Sequence, residues 1–441
     1  MKKLLLTLLF VIISFSANAI SIISDEETES WLADVLTPIF KSADIPFDKD
    51  KVHIVKDDSL NAFVGDKNHM FIHTGTLLDA SSTNEIEGVL AHETGHILGG
   101  HLLRLKIKIK ELQKASLASL IAAAGAAAVS GRGDTAIAVV LGTQSSAINA
   151  MSSYQITEER AADETAVNLL SKQNKSIKGL KTFMEKIRAT NRLEGIKENP
   201  YFRTHPVTTE RISFFNDKLK NEKSPTYSTS MDMRLDRIKA KLFSYLSPLS
   251  KVLKKYPLSD KTINAQIAHA IYYMRLKNLN KATLYIDNLI TQEPENPYFW
   301  ELKAQILYEN SQIKEATKAY KQALNLKPTS DLFKLSYAEA LLANTPSRKD
   351  LNSLIIMLEH ANRNNSHPTA YHLLGNVYSL LGDNATAVYF SAEYNNAIGN
   401  YKLAQKQLTK ALQSPLRPEI KLRAEDLKQK LIKETQKETL F

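Results

Sequence analysis

The chain has 441 residues, with 43% hydrophobic residues, 24% charged residues and a formal net charge of +10. This length predicts two or three domains with substantial cores, and the composition is ordinary for a soluble protein. The positive charge comes from scattered lysines, so no basic block indicates a nucleic-acid-binding module. Because the chain has no cysteine, a disulfide framework is excluded.

The first 19 residues have the pattern of a secretory signal peptide. Lys2 and Lys3 precede an apolar run at 4–15, and the small-x-small site Ala17-Asn18-Ala19 follows. The apolar run is too short for a comfortable membrane span. We therefore expect cleavage after Ala19 and a periplasmic location.

A helix is predicted over residues 25–43, and three short alternating segments follow at 51–56, 61–64 and 69–73. They predict a small antiparallel sheet that ends at the turn Thr74-Gly75. The last strand, Met70 to His73, is expected to offer an edge to which an extended peptide could add as one more strand.

The stretch His92-Glu93-Thr94-Gly95-His96 carries the strongest chemical signal in the chain. On a helix, two histidines four residues apart project from one face. A catalytic zinc site needs such nitrogen ligands and keeps one position for water. Glu93 would be the general base for that water.

The alternative is an ordinary amphipathic helix with two core-facing histidines, and the surroundings argue against it. Ser82 and Glu85 predict a capping box, and the helix is expected to run from about Thr83 to Gln113.

An apolar pair of segments, 117–129 and 135–141, comes next. Each is too short to cross a bilayer. Two interpretations stay open for 117–141: a buried or interfacial helical hairpin, or a lid or patch that contacts a membrane or a partner.

Two histidines do not complete the coordination of zinc, so a third ligand is required. In the spacing H-E-x-x-H-x-x-G-x-x-H the third histidine would fall at Leu102, and His101, one residue early, is expected to point elsewhere. Glu159 is the better candidate. Asp163, four residues further along the same helix face, could accept a hydrogen bond from the ring N–H of a liganding histidine.

The residues around this pair complete the prediction for the second helix. Ala161 and Ala162 are small enough for this helix to approach the metal-binding helix closely. Glu158 and Glu164 are expected to belong to a solvated face.

These segments together resemble the HtpX-like gluzincin peptidases, metallopeptidase family 48. The resemblance is carried by Asn61-Ala62-Phe63, the stretch from Val89 to His96, and Glu159-x-x-Ala162-Asp163. With a signal peptide ahead and helical repeats behind, the chain is most similar to the periplasmic members of that family. The resemblance implies one zinc ion per chain bound by His92, His96 and Glu159. It also implies Glu93 as the base and Asp163 in the second shell.

The segment 200–206, followed by Arg211, resembles the downstream Arg-x-His-Pro element of that subgroup. It places His205 before a proline that stiffens the loop. His205 could donate a hydrogen bond to the oxyanion of a tetrahedral intermediate. It could instead occupy the open position of zinc and keep the enzyme inactive, or have no metal role at all.

The C-terminal part of the chain repeats. Ala282 and Pro294 recur as Ala316 and Pro328, a period of 34 residues, which is the tetratricopeptide length. Pro328 and Pro368 are 40 residues apart, so about six extra residues are expected around 344–350. An α-solenoid of this kind presents a concave surface for protein segments.

The predicted fold class is mainly α, with an N-terminal gluzincin domain that contains a small antiparallel sheet and a tetratricopeptide solenoid behind it. The domain prediction is a signal peptide at 1–19, a zinc metallopeptidase domain at 20–225, a bridging helix and linker at 226–260, and repeats with a C-terminal capping helix at 261–441.

The predicted function is that of a periplasmic zinc endopeptidase. The resemblance implies misfolded or stalled envelope and outer-membrane proteins as targets, with the repeat half binding substrate or the outer-membrane assembly machinery. A chaperone-like assembly factor with a mostly autoinhibited zinc site is the alternative, and a purely structural zinc protein comes third.

Overall fold

The computed structural model describes residues 21–130, 133–194, 201, 204–223, 225–364 and 367–438, apart from the side chains of 120, 123–148, 191–194 and 433–438. The predicted signal peptide and part of the segment 200–206 lie outside the described residues.

Helices form most of the N-terminal part of the chain. They are α1 (Glu26–Ser42), α2 (Thr74–Asp79), α3 (Thr83–Gly99), α4 (His101–Ser130), α5 (Gly133–Lys172), α6 (Lys178–Glu194) and α7 (Thr209–Lys220). Helix α1 agrees with the predicted first helix. It begins at the N-cap Asp25, whose side chain accepts a hydrogen bond from the backbone N–H of Thr28.

The sheet contains β1 (Ile22–Ile23), β2 (Val52–Val55), β3 (Ala62–Val64) and β4 (Met70–His73) in the order β1-β2-β4-β3. The antiparallel prediction is wrong for one pairing, because β2 and β4 run parallel, so the sheet is mixed. The prediction that β4 is an edge strand is also wrong. Strand β4 lies between β2 and β3, and β3 forms the edge. The predicted turn at Thr74-Gly75 is the start of α2.

The predicted helix from Thr83 to Gln113 is interrupted. Helix α3 ends at Gly99, and Gly100 adopts a left-handed backbone with φ of 61° before α4 begins. Glycine takes this conformation without steric cost. The predicted capping box is absent among the described residues, since the side chain of Ser82 makes no capping hydrogen bond. Glu85 instead accepts a hydrogen bond from Lys186 Nζ at 2.8 Å.

Helices α4 and α5 pack along each other as a hairpin. Its arms, of 30 and 40 residues, are longer than the predicted apolar segments. The described residues of the segment 117–141, which are 117–130 and 133–141, belong to the ends of these two helices, and most of their side chains lie outside the description. In the part of the chain that the structure describes, no helix combines the length and apolarity that a bilayer span requires.

One hydrophobic core connects α1, the sheet, α3, α5, α6 and α7. Its largest fully buried members include Trp31 of α1 and Phe215 of α7. The H-E-x-x-H motif lies on α3, which is buried over most of its length. A helix with little solvent-facing surface is held on several sides, which fixes the direction of its side chains.

The contact between α3 and α5 is unusually close. A Cβ atom on Gly95 would lie 2.9 Å from both the Cα and the carbonyl oxygen of Ala162. The predicted close approach is therefore present, and it is Ala162 that lies in the contact, whereas Ala161 is exposed.

The C-terminal part is a stack of paired helices joined to the N-terminal part by α8 (Thr229–Leu246) and α9 (Leu249–Lys255). The pairs are α10 (Ile263–Arg275) with α11 (Leu279–Gln292), α12 (Pro297–Glu309) with α13 (Ile313–Leu326), α14 (Asp331–Ala343) with α15 (Arg348–Ala361), α16 (Pro368–Leu380) with α17 (Asn384–Ala397), and α18 (Tyr401–Leu412) with α19 (Pro418–Glu438).

The repeat length is 34 residues from the start of α12 to that of α14, and 37 from α14 to α16. The prediction of about six extra residues around 344–350 is therefore wrong. Pro368 is the first residue of a helix, whereas Pro328 lies in the loop before one. The two prolines do not occupy equivalent positions in their repeats. Most of the residues by which the longer repeat exceeds the shorter one lie in the loop before α16.

A charged network joins the N-terminal part to the solenoid. Lys241 of α8 is buried and forms ion pairs with Asp25, at the start of α1, and with Glu301 of α12 at 3.3 Å. Buried charges are stable only when they are paired. The orientation of the solenoid therefore depends on this lysine.

Replacing Lys241 with Met should lower the free energy of unfolding by about 3–5 kcal/mol, because it leaves buried carboxylates without their partner. Denaturant unfolding of the full chain measures the effect. Lys254→Met, on an exposed position of α9, is the matched control. Equal midpoints for the two variants would contradict the role assigned to Lys241.

Replacing Gly95 with Ala should force α3 and α5 apart and cost about 1–3 kcal/mol of stability. It should also weaken zinc binding at the predicted site, since Glu159 moves with α5. Chelator competition measures the zinc affinity. Gly375→Ala is the control, because a Cβ on that helical glycine meets its first neighbour at 3.4 Å. Unchanged zinc affinity in the Gly95 variant would contradict this coupling.

Candidate metal centre

Four side chains converge at the crossing of α3 and α5. In the described part of the chain, one group of histidine and carboxylate side chains could hold a metal ion, namely His92, His96, Glu159 and His205. One ligand atom from each lies within 4.8 Å of all the others. Nε2 of His92 is 3.1 Å from Nε2 of His96 and 3.3 Å from Oε2 of Glu159.

The spacing of these atoms fits a tetrahedral site. Donors about 2.1 Å from a zinc ion lie about 3.4 Å apart. Nδ1 of His205 is 3.5 Å from Nε2 of His92 and 2.8 Å from Oε1 of Glu159. Two imidazole nitrogens that face each other at 3.1 Å also need a shared cation or proton between them. The residues present therefore fit a divalent metal ion with nitrogen and oxygen ligands.

Glu93 lies beside this cluster and is fully buried. Within the described ranges neither of its carboxylate oxygens has a hydrogen-bond partner, and Nε2 of His205 lies 3.7 Å from Oε1. Burial raises the pKa of Glu93, although His205 and His92 oppose the shift. A buried carboxylate with free oxygens and a raised pKa has the properties of a general base.

Asp163 lies behind His92, as predicted. Its Oδ1 is 2.9 Å from Nδ1 of His92, which leaves Nε2 of that ring facing the metal position. Burial acts to lower the pKa of His92, but hydrogen bonds to Asp163 and Glu159 outweigh it and raise the pKa to about 9. Metal binding would therefore release a proton from this ring.

Arg211 of α7 binds the carboxylates of Glu159 and Asp163 on α5. This role was not predicted from the sequence. The Arg211 guanidinium donates to Asp163 at 2.7 and 2.8 Å, and its Nη1 lies 2.8 Å from Oε2 of Glu159. Burial opposes ionisation of Glu159 and Asp163, yet His205 lowers the pKa of Glu159 and Arg211 lowers that of Asp163. Both acids are thus kept as carboxylates in a buried site.

His205 reaches the cluster from the segment between α6 and α7. Its backbone N–H donates to the carbonyl of Tyr201 at 2.7 Å, and its ring stacks on that of Tyr201 with centroids 4.5 Å apart. Arg211 also donates to the carbonyl of Pro206 at 3.0 Å. Two hydrogen bonds thus hold the backbone on either side of the His205 ring, one to Tyr201 and one from Arg211.

Two residues were placed wrongly from sequence. His101 does not point away from the site but contacts the back of the His96 ring, and the side chain of Glu158 is only 13% exposed and contacts His101. The prediction of Glu158 as solvated is wrong, whereas Glu164 is exposed as expected. The run His96-Ile-Leu-Gly-Gly-His101 was the available signal, because two glycines allow the chain to reverse.

A cleft of about 400 Å³ opens onto the cluster. The edge strand β3 contributes Phe63 and Val64 to one wall, and Leu102 and Leu103 of α4 contribute to another. Glu93, His96 and His205 also line this cleft. An extended segment laid along β3 would therefore lie beside His96, Glu159 and His205, which line the same cleft.

Comparison with known proteins agrees with this geometry. Residues 26–218 match Peptidase family M48, and residues 265–410 match a tetratricopeptide repeat family. A Vibrio cholerae protein is 24% identical over 369 residues, which are 82% of this chain and 74% of that protein. The beta-barrel assembly-enhancing protease of Escherichia coli K12 is 22% identical over 377 residues, 80% of this chain and 76% of that protein.

A second type of relative matches a shorter part of the chain. The Escherichia coli metalloprotease YcaL is 33% identical over 174 residues, which are 39% of this chain and 63% of YcaL. The predicted family, enzyme class and fold class are confirmed. Residues 26–218 form a peptidase family M48 domain, tetratricopeptide repeats follow it at 265–410, and the chain is a metallopeptidase.

Proposed function

We propose that the chain is a zinc endopeptidase that cleaves unfolded segments of other proteins in the periplasm. The observation that carries the proposal is the convergence of His92, His96 and Glu159 on one point, with the Glu93 carboxylate beside it and an edge strand at the cleft. We further propose one zinc ion per chain and the division into domains at 20–225, 226–260 and 261–441.

The roles of the residues follow from their positions. Bound zinc would polarise the peptide carbonyl and acidify water. Glu93 would accept the proton of that water and pass it to the leaving amine. Strand β3 would hold the substrate backbone in extended form by adding it to the sheet, and Asp163 would fix the tautomer of His92.

His205 is proposed to regulate the site. Its Nδ1 is one of the four converging donors, so a zinc ion bound here with His205 in place would have four protein ligands. A catalytic site needs one of them for water. Of the two metal-related roles considered, this position supports that of a plug which must leave before cleavage, rather than an oxyanion donor.

The solenoid is proposed to bind substrate or an assembly partner. A cavity of about 940 Å³ lies between the solenoid and the sheet, with Tyr371, Phe390 and Tyr401 among its lining residues. Lys67, in the loop between β3 and β4, lines both this cavity and the cleft at the metal centre. A polypeptide held by the solenoid could thus continue into the cleft.

The cellular role rests on the signal peptide pattern and on the names of the relatives. We propose export with cleavage after Ala19, and misfolded or stalled envelope and outer-membrane proteins as substrates. The outer-membrane protein assembly machinery is the proposed partner, with no nucleic acid involved. Peripheral membrane contact through 117–141 belongs to the same proposal.

The second candidate function is a chaperone-like assembly factor with a mostly closed zinc site. The completed set of four protein donors favours it, since such a site is inactive until His205 moves. The two functions differ in whether the unaltered chain cuts an unfolded protein at a measurable rate.

Glu93→Gln should retain one zinc ion per chain and lose cleavage by at least about 100-fold, because the variant removes the base and no ligand. Zinc content and proteolysis of an unfolded protein are measured on the same samples. Glu164→Gln, an exposed acid of α5, should behave like the unaltered chain. Cleavage that survives in the Glu93 variant would refute the assigned base.

His205→Ala should keep the zinc ion and raise cleavage severalfold, because it frees the fourth position. The exposed His372 of the solenoid, changed to Ala, is the control. A fall in cleavage with zinc retained would instead assign His205 to the oxyanion. If neither the unaltered chain nor the His205 variant cuts any protein, the assembly-factor function is favoured.

A further inference from the structure

The two histidines of the motif are supported from behind in different ways. Nδ1 of His92 lies directly against a carboxylate, 2.9 Å from Oδ1 of Asp163. The ring nitrogen of His96 that faces away from the donors, Nδ1, is 2.8 Å from Nδ1 of His101. Nε2 of His101 is in turn 2.7 Å from Oε2 of Glu158.

The protons in this chain of contacts can be assigned. One proton lies between the two facing Nδ1 atoms. A His96 ring that offers the lone pair of Nε2 to a metal carries its proton on Nδ1, so His96 donates and His101 accepts. The proton of neutral His101 then lies on Nε2 and is donated to Glu158. Each tautomer fixes the next.

The backbone between the two histidines is shaped for this contact. Gly100 has φ of 61° and caps the end of α3, and a Cβ on Gly99 would lie 1.9 Å from Nε2 of His101. The His101 ring therefore lies over the position that any side chain at 99 would occupy. Both glycines are needed to bring His101, the first residue of α4, against His96 near the end of α3.

The carboxylate of Glu158, which ends this series of contacts, is bound by an arginine, and so is the carboxylate of Asp163. Nε of Arg104 donates to Oε1 of Glu158 at 3.2 Å, as Arg211 donates to Asp163. Each histidine of the motif thus leads to a carboxylate of α5 that is paired with an arginine. The two arrangements differ in one respect: the imidazole of His101 lies between His96 and its carboxylate, whereas His92 contacts its carboxylate directly.

We propose that His101 and Glu158 are positioning residues that fix the tautomer and orientation of His96 through this relay. The inference rests on the proposed zinc site and assigns a role to two residues outside the ligand set. Outer-shell partners of this kind typically contribute about 10–100-fold to metal affinity.

The test is the zinc affinity of the full chain, measured by chelator competition. His101→Ala and Glu158→Gln should each weaken zinc binding by about 10–100-fold. Glu164→Gln is the matched control on α5 and should leave the affinity unchanged. Glu159→Gln, which alters a proposed ligand, should weaken binding more than either relay variant.

His101→Asn separates the relay from packing. The amide oxygen of Asn is bonded to Cγ, as Nδ1 of His is, so it can still accept from His96, and the variant should recover most of the lost affinity. The absorption bands of the Co²⁺-loaded chain should shift in His101→Ala and return in His101→Asn. The thermal midpoint of the metal-free chain is measured for each variant.

Two outcomes would overturn the relay while leaving the proposed function standing. One is His101→Ala with a zinc affinity within twofold of the unaltered chain. The other is an equal loss of affinity and of thermal midpoint in the Ala and Asn variants, which would assign His101 to packing. An unaltered chain that binds no zinc would overturn the proposed function, and the relay with it.

Discussion

The crossing of α3 and α5 is the constraint on which the metal centre depends. Gly95 and Ala162 meet with no room for one more methyl group, and this contact sets the distance between the histidines of one helix and Glu159 of the other. Metal ligands must be placed within about 0.5 Å of their productive positions. A small residue at the crossing is therefore as necessary as the ligands themselves.

The same crossing concentrates charge in a buried place. One stretch of α5, from Glu158 to Asp163, supplies a proposed ligand and two supporting carboxylates, and each supporting acid is paired with an arginine. Burial of unpaired carboxylates would be costly. Arg211 also holds the carbonyl that follows His205, so the histidine loop and the acids behind the ligands share one anchor.

The solenoid is fixed to the peptidase domain by ion pairs rather than by an apolar interface alone. Besides Lys241, Lys327 of the solenoid lies 2.9 Å from Glu26 of α1, and Lys49 lies 3.1 Å from Asp331 of α14. A charged junction of this kind is more sensitive to salt than a hydrophobic one.

The sequence by itself determined the chemistry of the centre. The four-residue spacing of His92 and His96 places two rings on one helix face regardless of the remaining fold, and Glu159 with Asp163 follows the same rule. The repeat period likewise predicted the solenoid, because helix pairs of fixed length stack locally. The roles of the site residues stay predictions until metal binding and cleavage are measured.

Only the tertiary structure decided which side chains meet across elements. Strand order depends on long-range pairing, so β4 was misplaced at an edge that belongs to β3. The left-handed backbone of Gly100 brings His101 into contact with His96, and hydrophobic periodicity does not predict that contact. Arg211 and His205 come from beyond α6, and their meeting with α5 depends on packing of the whole core. Local patterns determine the direction of a side chain within its own element, whereas its partners depend on how distant elements pack.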